Sequence, residues 1–196
     1  MLLFCIIKKV GHVKTLDDKM KSEIPVRIVM LGDSITHGGN WQELLNRNDV
    51  INAGMPGWTT EQIYWLIKDY VEPNKPELCF YMAGINDYSL GISPNRIEKN
   101  QKRILDAIHA CGTMPVYQTL LYQLGNFYGN QKIDWLNSSI EEHCKEHGYE
   151  FLDLRPWLCR NDDLKEEFTY DGTHLTEDAY IPWAKALLPV LEKFGL

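Results

Sequence analysis

The chain has 196 residues and a mass of 22.8 kDa, the size of one domain and enough to bury a full core without staples. At 44% hydrophobic, 24% charged and 11% aromatic residues, its composition excludes a disordered or fibrous protein. Twenty Lys and Arg stand against 27 Asp and Glu, a net charge of −7 with no basic cluster, so nucleic acid is not an expected partner.

The chain begins with an apolar run, Leu2 to Ile7, followed by Lys8 and Lys9. A secretory signal places its positive charge first and its apolar stretch after, so residues 1–24 read as an N-terminal arm. Such an arm is expected to pack on the domain or on a second copy of the chain, giving a homo-oligomer. Residues 25–196 then form one α/β domain. Val26 to Leu31 is a strand-like run ending at Gly32, and Val50 to Gly54 is the next. Thr59 to Gln62 has the T-x-x-Q form of a capping box, and Ile63, Leu66, Ile67 and Tyr70 follow at helical spacing. Leu78 to Gly84 is a third strand. Ser93-Pro94 caps a helix carrying Ile97, Ile104, Leu105 and Ile108, with Gly112 past its end. Pro115 to Leu121 is the fourth strand, Asp134 to His147 a helix closed by Gly148, and Glu150 to Leu154 the fifth strand. The last helix starts near Thr176, with Pro182 expected to kink or delay it. Near-continuous apolar strands alternating with helices predict a three-layer α/β/α sandwich around a five-stranded parallel sheet, flavodoxin-like in type.

The odd number of cysteines, five, and the lack of any C-x-x-C argue against a disulfide framework or a zinc knuckle. They suit a reducing compartment, and the expected location is cytoplasmic. No apolar run approaches 18 residues, so no membrane span is expected. His143 and His147 are four apart on a helix with Glu141, Glu142 and Glu146 nearby, but the H-E-x-x-H order is absent, and no metal is expected.

In an open parallel sheet, ligands bind beyond the carboxyl ends of the strands. Those ends carry Gly32-Asp33-Ser34-Ile35, then Gly54-Met55-Pro56-Gly57-Trp58, then Gly84-Ile85-Asn86-Asp87-Tyr88, and, past a loop, Tyr170-Asp171-Gly172-Thr173-His174. A hydroxyl nucleophile needs a base beside it, the base needs a carboxylate to orient it, and a developing oxyanion needs fixed donors. Ser34, His174 and Asp171 can supply the first three. Asp33 and Asp87 read as structural carboxylates that hold their loops by accepting backbone N–H groups.

Gly32-Asp33-Ser34-Ile35, Gly57, Gly84-x-Asn86-Asp87 and Asp171-x-x-His174, in this order over residues 25 to about 190, resemble the blocks of the SGNH (GDSL-type) esterase/lipase superfamily. The resemblance implies Ser34 as nucleophile, His174 as general base and acid, and Asp171 as its orienting carboxylate. It implies an oxyanion hole from the N–H groups of Ser34 and Gly57 and the side-chain amide of Asn86, and no cofactor or metal. The expected substrate is a small O-acyl ester, with acetyl esters of carbohydrates the foremost class. Thioesterase or lysophospholipase activity on longer chains, and an inactive carbohydrate-binding fold, are the alternatives. A nucleotide binder lacks support, since neither G-x-G-x-x-G nor G-x-x-x-x-G-K-[ST] occurs. Trp58, Tyr88 and Tyr170 adjoin the site and read either as walls for an acyl group or sugar ring or as buttresses of their loops.

Overall fold

The computed structural model describes residues 25–196; the predicted arm, residues 1–24, lies outside them. Five strands, β1 (Ile28–Gly32), β2 (Val50–Gly54), β3 (Leu78–Met82), β4 (Met114–Gln118) and β5 (Glu150–Leu152), form one sheet in the order β2-β1-β3-β4-β5. Every neighbouring pair is parallel. The order follows from the connections: each strand is returned by a helix, and the chain reverses its direction of travel across the sheet after β2. That reversal puts a crevice between the ends of β1 and β3, where open α/β sheets hold their ligands.

β1 and β3 are buried along their whole length, which their unbroken apolar sequences require. Each side chain such as Ile28, Leu31, Leu78 or Phe80 removed from water contributes about 1.5–3 kcal/mol. The covering helices are α3 (Thr60–Leu66, continued as a π-helical turn over Ile67–Val71), α5 (Pro94–Ala110), α6 (Phe127–His147) and α8 (Glu177–Lys193). Shorter helices carry the chain around the rim: α1 (Ser34–His37), α2 (Trp41–Leu44), α4 (Ile85–Ser89) and α7 (Arg155–Leu158). At the start of α3, Gln62 Oε1 accepts both the Thr59 N–H (2.9 Å) and the Thr59 hydroxyl (3.1 Å), as the capping-box spacing predicts.

Two helices differ from the sequence expectation, and a third stretch, which no local pattern assigned, carries structure of its own. α6 starts at Phe127, one and a half to two turns before Asp134. Asn126 Oδ1 accepts the Gly129 N–H (3.1 Å), and Asn130 ties the first turn to the Gln123 backbone through two hydrogen bonds of 2.8 and 3.0 Å. α8 begins at Glu177 and runs through Pro182 and Pro189, so Pro182 does not delay it. Each proline forfeits one ladder bond, and burial of Trp183, Leu187 and Leu191 outweighs the loss. The stretch between β5 and α8 is built from α7, a two-residue-per-strand hairpin (Cys159–Arg160 with Asp163–Leu164) and a 3₁₀ turn, Glu166–Phe168. Arg155 holds this stretch, bonding Asp153 at 2.8 and 2.9 Å and Asp134 at 2.8 Å.

Candidate active site

Ser34 follows β1 as the first residue of α1. Asp33 caps that helix, its Oδ1 accepting the Ile35 N–H at 3.0 Å. An aromatic cluster clamps α1 from behind. Trp41 Nε1–H donates to the Thr36 carbonyl (2.8 Å), and the Tyr180 hydroxyl donates to the Ile35 carbonyl (2.8 Å). Trp41 meets Trp183 edge-on at 4.9 Å. With both carbonyls of this one-turn helix held, the Ser34 side chain is presented at a fixed angle on the rim.

The partner histidine arrives from the other end of the chain. Ser34 Oγ lies 2.9 Å from His174 Nε2, across 140 residues of sequence, and His174 Nδ1 lies 2.6 Å from Asp171 Oδ2. With Asp171 ionised, Nδ1 carries the proton and Nε2 is left to accept from the serine. Asp171 Oδ1 accepts the Thr173 N–H (2.9 Å) and the His174 N–H (2.7 Å), so one carboxylate shapes the turn and orients the ring. Partial burial raises the Asp171 pKa, but the hydrogen bonds from His174 and Thr173 outweigh it and hold the carboxyl below its ordinary range. The His174 and Asp171 side chains keep 38% and 42% of their surface open, so a substrate can reach the pair from solvent. Thr169 steadies the loop: its hydroxyl donates to the His174 carbonyl (2.7 Å) and accepts the Gly172 N–H (2.9 Å).

Met55-Pro56-Gly57-Trp58 forms a tight turn closed by Trp58 N–H to the Met55 carbonyl at 3.3 Å. Gly57 takes φ +78°, the left-handed value that a Pro-Gly turn requires at its third position. Gly57 is exposed and Trp58 is half-buried against the core. Asn86 Nδ2 donates to the Trp58 carbonyl at 2.9 Å, which fixes the amide plane and leaves a second N–H on the same nitrogen. Gly84, at φ +137°, lets the chain swing from β3 into α4; a Cβ there would sit 2.9 Å from Gln101 Nε2.

Asp87 stitches these two loops together. Its carboxylate accepts the Thr60 N–H (2.8 Å) and the Thr60 hydroxyl (2.6 Å), at the start of α3. The structural reading of Asp33 and Asp87 thus matches the bonds they make. Asp33 also carries something the sequence does not reveal. It is fully buried, its Oδ2 has no hydrogen-bond partner, and burial pushes its pKa up to about 7, against the opposing pull of the Ile35 N–H and of His174.

Of the aromatic candidates, Tyr170 is exposed and stacks on the His174 ring (5.9 Å between centroids, 13° between planes). The Tyr88 hydroxyl donates to the Lys132 carbonyl at 3.0 Å, so Tyr88 joins α4 to α6. Sequence reasoning missed Gln123, whose Nε2 donates to Thr173 Oγ1 (2.8 Å) beside His174; only the fold reveals that contact. The thiols Cys79, Cys111, Cys144 and Cys159 are free, and burial pushes Cys144 up to about 12 and Cys159 up to about 11, far from the nucleophilic thiolate. His143 and His147 gain a third neighbour, Asp106, their ligand atoms lying within 4.8 Å of one another. His143 Nε2 already bonds Asp106 Oδ1 at 2.9 Å, and His147 Nδ1 bonds the His143 carbonyl at 2.9 Å. Among the described residues, no helix is long and apolar enough to cross a membrane.

A parallel sheet with this rim is the frame of an α/β hydrolytic enzyme. Residues 30–180 match the GDSL-like lipase/acylhydrolase family, and the chain belongs to it. It is 24% identical over 152 residues to an N-acylneuraminate cytidylyltransferase of Streptococcus agalactiae, matching 77% of this chain and 35% of that protein. The chain spans about a third to a half of the length of the curated relatives it matches. Among solved structures it is similar to a GDSL-like lipase from Bacteroides thetaiotaomicron (TM-score 0.75, 23% identity, 89% of this chain and 90% of that one). It is similar also to the acetyl xylan esterase AlAXEase (TM-score 0.71, 18% identity, 84% and 98%). These likenesses define the fold, and the family is that of the GDSL-like lipases and acylhydrolases.

Proposed function

We propose that the chain is a serine esterase that removes small acyl groups, acetyl foremost, from the hydroxyls of carbohydrates. The observation that carries this reading is the relay Ser34 Oγ to His174 Nε2 (2.9 Å) and His174 Nδ1 to Asp171 Oδ2 (2.6 Å). Ser34 Oγ attacks the ester carbonyl as His174 Nε2 takes its proton. The oxyanion that forms is met by the Ser34 and Gly57 N–H groups and the free N–H of Asn86, donors held in place before the charge develops. Collapse of the tetrahedral intermediate expels the alkoxide, which takes the proton back from His174. Water, deprotonated by His174, then attacks the acyl-serine and releases the acid. Asp171 remains ionised and stabilises the imidazolium in both halves. No step passes through a metal or organic cofactor.

Support for a small acyl group comes from Trp58, half-buried next to the oxyanion glycine. A long chain gains about 0.8 kcal/mol per buried methylene only where an apolar groove receives it. Support for a carbohydrate comes from the likeness to an acetyl xylan esterase and from Tyr170 and Tyr88 beside the site. The free thiols support a reducing, cytoplasmic setting. The test is kcat/KM across p-nitrophenyl acetate, butyrate, octanoate and palmitate, for the parent and Trp58→Ala. Efficiency is expected to be highest for acetate and to fall by octanoate, with Trp58→Ala shifting the preference toward longer chains. A parent that prefers octanoate or palmitate replaces this reading with a thioesterase or lysophospholipase.

A further inference from the structure

α5 and α6 both begin at the rim where the strands end, and the first turns of α6 are lined with aromatic side chains. Phe127, Tyr128 and Trp135 are exposed by 66%, 78% and 44%. Tyr128 and Trp135 are seven residues apart, hence on one helix face and about 10.5 Å apart along the axis. Gln131 and Lys132 lie between them on that face. Pro94 and Asn95, at the start of α5, form the opposite wall of a cleft of about 510 Å³. A second cleft, about 290 Å³, shares Tyr128 and Lys132 and is lined further by Tyr88 and Gln123. Tyr88 is two residues from Asn86, and Gln123 bonds Thr173 beside His174. The two clefts share Tyr128 and Lys132, and the nearer one is bounded by α4, which carries Asn86, and by Gln123, which bonds the loop that carries His174; together they form a trough.

We propose that this trough binds a neutral oligosaccharide and presents its acyl group to Ser34; the proposal rests on the esterase reading above and extends it. A pyranose ring has an apolar C–H face and a rim of hydroxyls. Tyr128 and Trp135 offer ring faces for the first at a spacing near the length of a disaccharide unit. Asn95, Gln131 and Lys132 offer donors and acceptors for the second. The same alternation of aromatic and polar side chains leaves no continuous aliphatic wall for an acyl tail, and the net charge of −7 disfavours a polyanionic glycan.

The experiment uses the full chain carrying Ser34→Ala, titrated calorimetrically with unesterified xylo-, cello-, manno- and chito-oligosaccharides of two to six rings. At least one series is expected to bind, with affinity rising from two to four rings. Tyr128→Ala and Trp135→Ala, each added to Ser34→Ala, are expected to weaken it about fivefold to tenfold, and Trp135→Phe to retain it. Absence of binding in all four series, or binding indifferent to both alanine variants, overturns the proposal. If instead the parent self-associates in sedimentation and Trp135→Ala disperses it without any glycan binding, the face belongs to a second copy of the chain and the proposal also fails. Binding needs no turnover, so an inert parent that binds glycan breaks only the esterase reading, and an active parent that binds none breaks only the trough.

Discussion

Two histidine–carboxylate pairs of similar geometry sit at opposite ends of the molecule. At the rim, His174 meets Asp171 at 2.6 Å; near the far ends of α5 and α6, His143 meets Asp106 at 2.9 Å. The difference lies in what surrounds each ring. His174 gives one nitrogen to its carboxylate and the other to Ser34, and the pair is open to solvent. His143 is buried, packs against His147 with ring centroids 4.1 Å apart and planes tilted by 36°, and shares Asp106 with the Tyr149 hydroxyl at 3.0 Å. Its carboxylate bond joins two helices. A His–Asp contact alone thus does not distinguish the two pairs; the hydroxyl on the second nitrogen and the open face of His174 do.

The sharpest way to break this contrast is to remove the hydroxyl or the ring at the rim. Ser34→Ala and His174→Ala should each lower kcat on p-nitrophenyl acetate by about 10⁴-fold or more, and the double variant should cost little beyond either, because the groups act as one unit. Multiplicative losses would show that the two side chains serve separate steps. Asn86→Ala should lower kcat by about 10²–10³ with KM little changed, as expected of a donor aimed at the developing charge. A variant that loses only affinity would place Asn86 on the ground-state substrate. At the other pair, His143→Ala should leave kcat/KM within about twofold of the parent while costing about 1–3 kcal/mol in urea unfolding. A large loss of turnover there would erase the distinction between the pairs.

The last expected effect concerns Asp33, beside Ser34, and touches stability rather than turnover. Its carboxyl has a folded pKa of about 7 against an ordinary 3.8, so the folded state holds a proton that the unfolded state releases. The contribution therefore favours folding at low pH and is lost as pH rises from roughly 4 to 7, the reverse of a salt-bridged carboxylate. Asp33→Asn keeps an acceptor for the Ile35 N–H and cannot ionise. Its melting temperature should decline less between pH 5 and pH 8 than the parent's. Parallel melting curves across that range would show that Asp33 ionises freely in the fold.

The rim was far more legible in sequence than the far end. Strands buried on both faces must be apolar throughout, so β1 and β3 stand out, and the residues after them are the ones the sheet delivers to the crevice. The Thr59 and Gln62 box and the Pro56-Gly57 turn are local chemistry and can be read locally. The start of α6 could not, because Gly129 and Asn130 are poor helix formers and the aromatic residues there face solvent, so apolar periodicity fails. Asp106 is 37 residues from His143 and Gln123 is 50 from Thr173; those pairings exist only after the helices pack. The two ends of the relay were legible as motifs, but the 2.9 Å contact between Ser34 and His174 spans 140 residues and exists only once β1 and the loop before α8 meet at the rim.

The role proposed for Ser34 is that of a nucleophile poised by His174. It is tested most directly by treating the protein with a fluorophosphonate and locating the adduct by peptide mass spectrometry while esterase turnover is followed. One adduct per chain is expected, on Ser34, forming in step with loss of activity and absent from His174→Ala. An adduct on another residue, or full loss of activity with Ser34 unmodified, would contradict it.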